Sequence, residues 1–187
     1  MKKYPIKDWF SIPNIMGYFR ILLIPVFVTL FLKARTSRDY FVCGIIIAVS
    51  YATDVLDGLI ARRFNQITEL GILIDPVADK LTQFAILFML LLINLNLIPL
   101  FILFIVKEGF MGVMGLIMMR RGKKLQRAEW FGKLSTGVFD IGMIAILLFS
   151  KMMKPWMAPA ILWTCGVFMG LSLILYIRLY SKMAREN

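Results

Sequence analysis

The sequence predicts an all-α, polytopic membrane protein: six transmembrane helices preceded by a short N-terminal interfacial amphipathic helix. Three observations predict it. Of 187 residues, 60% are hydrophobic and only 18% charged, against about 45–50% and about 25% in ordinary soluble domains. The apolar residues fall in blocks of about 20, the length a helix needs to cross the hydrocarbon core. Charge is lopsided, with 22 Lys plus Arg against 11 Asp plus Glu and a net charge of +11. In a membrane chain such an excess reports sidedness and anionic headgroups rather than nucleic acid. Disorder is excluded, because so apolar a chain buries ample surface. The chain has no His, which excludes a Ser–His–Asp triad, an HExxH zinc site and a His-ligated haem. Cys43 and Cys165 both lie inside apolar runs and suit neither a disulfide framework nor a four-ligand zinc site.

The elements follow in order. Residues 1–13 mix Lys2, Lys3, Lys7 and Asp8 with Tyr4, Ile6, Trp9 and Phe10. That stretch is too short and too polar to span, so it is read as an interfacial segment with Trp9 at headgroup level. It lacks the long apolar core of a signal peptide. Spans are expected near 15–34, 39–62, 73–97, 99–120, 130–152 and 156–180. The first is interrupted by Arg20. The second ends on Asp54 and Asp57, and the third begins on Asp75, Asp79 and Lys80. The fourth contains Lys107 and Glu108, the fifth Lys133 and Asp140. Asn94, Asn96 and Pro99 mark one turn, and Lys154-Pro155 marks another. All six are helices, because a helix satisfies its own backbone hydrogen bonds in lipid. No internal repeat is visible, and residues 1–187 are read as one membrane domain. Of the 22 basic residues, 14 fall on the side holding both ends of the chain, the Arg62-Arg63 turn and the basic loop from Arg120 to Arg127. Positive charge gathers inside, so a cell (inner) membrane with both termini and the active site cytoplasmic is expected.

The informative residues are the scarce acids. An Asp within a span costs about 2.5–3.5 kcal/mol on insertion scales, yet Asp54, Asp57, Asp75 and Asp79 cluster at the ends of two consecutive spans. Asp54 and Asp57 share a helix face at i,i+3, and Asp75 and Asp79 share one at i,i+4. Gly58 and Ala61 continue the first face with small side chains that leave room for a ligand or a close helix neighbour. Arg62 ends it with a guanidinium matched to phosphate. Four carboxylates on adjacent helices cannot all stay ionised alone in a low dielectric. Divalent cations answer that, and all-oxygen ligation favours Mg²⁺ or Mn²⁺, with two ions the natural number for four carboxylates around phosphate. The plainer alternative is that these acids form helix-end salt bridges with Arg62, Arg63, Lys80 and Arg20.

Written out, the stretch is D-x2-D-G-x2-A-R-x8-G-x3-D-x3-D, with Asp54, Asp57, Gly58, Ala61, Arg62, Gly71, Asp75 and Asp79 at the fixed positions. It resembles the signature of the CDP-alcohol phosphotransferase (CDP-alcohol phosphatidyltransferase) family at every one of them. Ile12-Pro-Asn14 with Phe19-Arg20-Ile-Leu-Leu-Ile-Pro25, and Trp130-Phe-Gly132-Lys133-Leu-Ser-Thr136, resemble segments of the family's phosphatidylglycerophosphate synthases. The resemblance implies transfer of a phosphatidyl group from CDP-diacylglycerol to an alcohol with release of CMP. It implies that Asp54, Asp57, Asp75 and Asp79 hold the metals and that Asp79 is also the general base. Gly58, Ala61 and Gly71 would let the cytidine and diphosphate approach closely, and Arg62 would contact phosphate. Asn14 is either a cytidine contact or a helix cap. The expected acceptor is a small phosphorylated alcohol, glycerol 3-phosphate, with Lys107, Lys133, Arg120 and Arg121 as candidate ligands for its phosphate. In similar synthases an Arg-Glu pair begins the fourth span and a second Arg follows; here Lys107-Glu108 and the uncharged Gly115 stand there. A homodimer in an anionic bilayer is implied, and no nucleic-acid partner. Within the same chemistry, phosphatidylglycerol as acceptor would make a cardiolipin synthase. From other classes, a cation-coupled transporter also uses intramembrane carboxylates, but leaves Gly58, Ala61, Arg62 and Gly71 unexplained; a silent scaffold has no use for intact carboxylates.

Overall fold

The computed structural model describes residues 10–64, 68–120 and 130–185. Six α-helices make up nearly all of them: α1 (Ile12–Lys33), α2 (Ser37–Arg63), α3 (Glu69–Ile93), α4 (Ile98–Arg120), α5 (Trp130–Phe149) and α6 (Met157–Arg185). A 3-10 turn, Leu95–Leu97, precedes α4. No strand occurs among the described residues. Each helix contains a stretch long and apolar enough to cross a membrane.

Local chemistry sets the boundaries. α1 starts after Ser11 with Pro13 in its first turn, where a missing N–H costs nothing. Thus Ile12 and Pro13, expected in the interfacial segment, open the first span; residues 1–9 of that segment lie outside the described residues. α2 opens on a capping box, in which the Asp39 carboxylate accepts from the Thr36 backbone N–H at 2.8 Å and the Thr36 hydroxyl accepts from the Asp39 N–H, satisfying donors that a helix start leaves free. The third helix ends at Ile93 rather than near residue 97. Asn94 turns its side chain back to accept from the Asn96 N–H at 3.1 Å, offering the backbone a partner outside the helix. The fifth helix stops at Phe149 rather than 152, and the sixth runs to Arg185 rather than 180.

The backbone groups into two compact units, Met1–Leu90 with Leu147–Lys151 and Leu91–Ile146 with Met152–Asn187. In the first, α1 packs along α2. Phe27, Cys43, Ile47, Ala78, Ile86 and Leu87 are buried, and Phe31 bridges Phe27 and Tyr40 at ring separations of 5.6 and 5.4 Å. Gly44 lets Leu148 approach α2, since a Cβ there would stand 2.7 Å from its methyl group. In the second unit α4 packs along α6. Phe104 stacks on Phe139 at 5.8 Å, and Gly142 of α5 receives Ile161 and Cys165 of α6. Large apolar side chains such as Leu22, Val55, Ile141 and Trp163 remain exposed, as expected where lipid rather than water is the solvent.

Candidate functional site

The site lies in the first unit, where α1, α2 and α3 bring one cation and four acids together. Asp54 and Asp57 stand one turn apart on α2, and Asp75 and Asp79 one turn apart on α3. Between them comes Arg20 from α1, 2% exposed. Its Nη1 donates to Asp54 Oδ1 and, at 2.6 Å, to Asp79 Oδ1. Its Nη2 donates to Asp57 Oδ2 at 2.9 Å and to Asp75 Oδ1 at 3.0 Å. Each terminal nitrogen thus joins one carboxylate of α2 to one of α3, a use of the rigid guanidinium fork that an ammonium cannot copy. The Asp57 side chain is 4% exposed, while Asp54, Asp75 and Asp79 are 34–41% exposed.

A second set of contacts locks the entry to α3. The Gly71 N–H donates to the Thr68 hydroxyl oxygen at 3.0 Å, the bond that a capping Thr makes three residues into a helix. Asn14 of α1 holds that hydroxyl, with Nδ2 donating to Thr68 Oγ1 at 3.0 Å and Oδ1 accepting from it at 3.1 Å. Asn14 is inside α1 and buried, so it is not the cap of its own helix; Ser11 is at that position. The space left by Gly71 is taken up by Asn14, since a Cβ there would stand 2.6 Å from Asn14 Oδ1. Gly17 gives α1 the same closeness to α3, with a Cβ there falling 2.9 Å from Ile74 Cγ2 and 3.6 Å from Asp75 Oδ1.

Gly58 and Ala61 sit half-buried further along α2, followed by Arg62. The candidates for an acceptor phosphate belong to the second unit. Lys107 is 2% exposed on α4 and donates from Nζ to Glu108 Oε1 at 2.7 Å. Lys133 is exposed in the first turn of α5, and Arg120 is the last residue of α4. Arg121 lies outside the described residues.

Sequence reasoning named the four aspartates and missed the residue at their centre. Arg20 entered as the interruption of the first span, as part of a family-like segment and as one of several salt-bridge partners, but not as a centre; that plainer alternative is realised by it, from well inside α1. The signal was available: an Arg within a span is as costly as an Asp, and the same demand for a partner applies to both. Thr68 carried no comparable signal, because a threonine before a helix is common.

Among the described residues, no three His, Cys, Asp or Glu side chains form a ready-made metal cluster as they stand; the guanidinium takes the centre. The donor set nevertheless fits a hard divalent cation. Four carboxylates face one guanidinium, so acids outnumber the cation at this point, and only oxygen ligands are offered.

The pattern of the CDP-alcohol phosphatidyltransferase family matches residues 10–175 of the chain. Proteins from Escherichia coli (strain K12) and Shigella flexneri serotype 5b (strain 8401), both named CDP-diacylglycerol--glycerol-3-phosphate 3-phosphatidyltransferase, are 45% identical to it over 71 residues. That stretch is 38% of this chain and 38% of the length of each relative.

Proposed function

The chain belongs to the CDP-alcohol phosphatidyltransferase family, and from that premise we propose that it transfers a phosphatidyl group from CDP-diacylglycerol to glycerol 3-phosphate. The products are phosphatidylglycerophosphate and CMP, a step of phospholipid biosynthesis. The observation that carries the reading is the convergence of the four motif aspartates on one point in a chain that the family pattern matches from residue 10 to residue 175. The names of the relatives support the choice of acceptor. The reaction belongs at a membrane, with the site and both termini on the cytoplasmic side where basic residues gather.

Asp54, Asp57, Asp75 and Asp79 would hold Mg²⁺ or Mn²⁺, two ions being the expected number, which when bound neutralise the diphosphate and the charge on departing CMP. The acceptor hydroxyl oxygen attacks the phosphorus bearing the diacylglycerol. A new P–O bond forms, and the bridging P–O bond breaks with its electron pair leaving on CMP. Asp79 accepts the hydroxyl proton. No Ser or Cys nucleophile stands in the motif, so attack is direct. Gly58 and Ala61 keep α2 slim where the nucleotide approaches, and Arg62 binds phosphate. Lys107, Lys133, Arg120 and Arg121 are the candidate ligands for the acceptor phosphate.

Purified protein supplied with Mg²⁺ or Mn²⁺, CDP-diacylglycerol and one acceptor at a time tests this. CMP release with glycerol 3-phosphate is the expected result, and Asp57→Asn should reduce it by about a hundredfold or more. Release with phosphatidylglycerol alone would make the protein a cardiolipin synthase. Absence of CMP with every acceptor would overturn the enzyme reading.

A further inference from the structure

We propose that Arg20 is a displaceable counter-ion: it gives up the four aspartates when metal binds and turns to the diphosphate of the CDP-linked donor, so that metal and donor load cooperatively. The inference rests on the metal-dependent reading above.

Three features lead to it. First, the two occupants compete. The hydrogens of Nη1 and Nη2 reach one oxygen of each of the four carboxylates, and a hard cation would draw the same four carboxylates onto itself. The centre they share has room for one positive charge to dominate, so a bound cation weakens the hold of Arg20 on them. Second, a displaced Arg20 cannot shed its charge, because a guanidinium does not deprotonate in proteins, and at 2% exposure it does not reach bulk water. It needs another anion, and the diphosphate that accompanies the metal is one whose geometry matches the fork. Third, Arg20 is incompletely satisfied where it is. Its Nε–H is buried and has no hydrogen-bond partner. The four carboxylates take only the terminal nitrogens, whereas a phosphate held side-on through Nε and one Nη would satisfy the idle donor.

Metal alone then works against Arg20, while metal with a diphosphate does not. Coupling of this kind is reciprocal. Arg20 acts here first on the carboxylates and then on the donor. It keeps four mutually repelling carboxylates converged before loading, and it makes that convergence releasable only when both ligands are at hand.

The test is a titration of the purified full chain in detergent with Mn²⁺, following free Mn²⁺ by electron paramagnetic resonance, with and without CDP as the soluble diphosphate probe, each read against the same Mn²⁺ and CDP mixture without protein. In the natural protein CDP should raise Mn²⁺ affinity by about tenfold or more. Arg20→Gln should bind Mn²⁺ alone about tenfold more tightly than the natural protein, and CDP should then add less. Arg20→Lys keeps a cation on α1 without the fork. It guards against a folding failure of the first variant and should show weakened coupling to CDP. A purely structural Arg20 would lower Mn²⁺ affinity when replaced, with or without CDP. That result, or coupling unchanged in both variants, overturns the inference while metal-dependent CMP release by the natural protein keeps the proposed function standing. No Mn²⁺ binding by the natural protein under either condition would remove both this inference and the metal dependence.

Discussion

Arg20 and Lys107 are buried to the same degree, 2% exposed each, within membrane-spanning helices, yet they are neutralised in opposite ways. Arg20 meets carboxylates 34 to 59 residues away on two other helices. Lys107 meets Glu108, its immediate neighbour in the chain. A neighbouring pair neutralises itself however the surrounding helices pack. The Arg20 cluster exists only when three helices come into register, so it records the fold of its unit.

The largest effect should separate the two cations directly. Arg20→Gln leaves four carboxylates without their shared donor, and breaking a buried ion pair costs about 3–5 kcal/mol. The low end, about 3 kcal/mol, is expected in metal-free protein, because three of the carboxylates are 34–41% exposed and water relieves part of the penalty. Unfolding in detergent with a chelator present measures it. Lys107→Met should cost less, about 1–2 kcal/mol, because it removes one charge-assisted bond to a single carboxylate rather than bonds to four. Pairing that change with Glu108→Leu should bring stability back to near the natural value, since an apolar replacement of a whole buried pair is often neutral or stabilising. Equal losses at Arg20 and Lys107, or no recovery in the double variant, would break the distinction between a distributed and a neighbouring charge site.

Glycines sharpen the same contrast on a smaller scale. Gly71 borders the Arg20 site and has no room for a methyl group against Asn14, so Gly71→Ala should destabilise by about 1–3 kcal/mol through overpacking. Gly109, beside Glu108, has nothing within 4 Å of where its Cβ would be. Gly109→Ala should instead stabilise by about 0.5–1 kcal/mol, from the lower entropy cost of holding alanine in a helix. Thermal midpoints of the two variants read against each other decide the point.

Much of this was legible in the residues. Apolar blocks of about 20 located the six helices of the described residues, because the hydrocarbon thickness leaves few other lengths, and the boundary missed at Asn94 was set by local hydrogen bonding. The four aspartates were legible because acids in a span are costly enough to need a reason, and their i,i+3 and i,i+4 spacings settle which of them share a face. Arg20 was visible as a residue but not as a centre. Asn14 offered two readings, and the structure supplied another: a buried brace on the Thr68 hydroxyl that caps α3.

By itself the sequence determined the six membrane-length helices of the described residues, the family pattern and the four acids on their two faces, because periodicity, length and the cost of charge in lipid act along the chain. Only the tertiary structure decided that a cation from α1 gathers those acids, that Gly71 is small to admit Asn14, and that Lys107 is answered next door. The physical reason is reach. A guanidinium or a carboxamide selects its partners within about 3 Å in space, and residues 34 to 59 positions apart in the chain come within that distance only after the helices have packed.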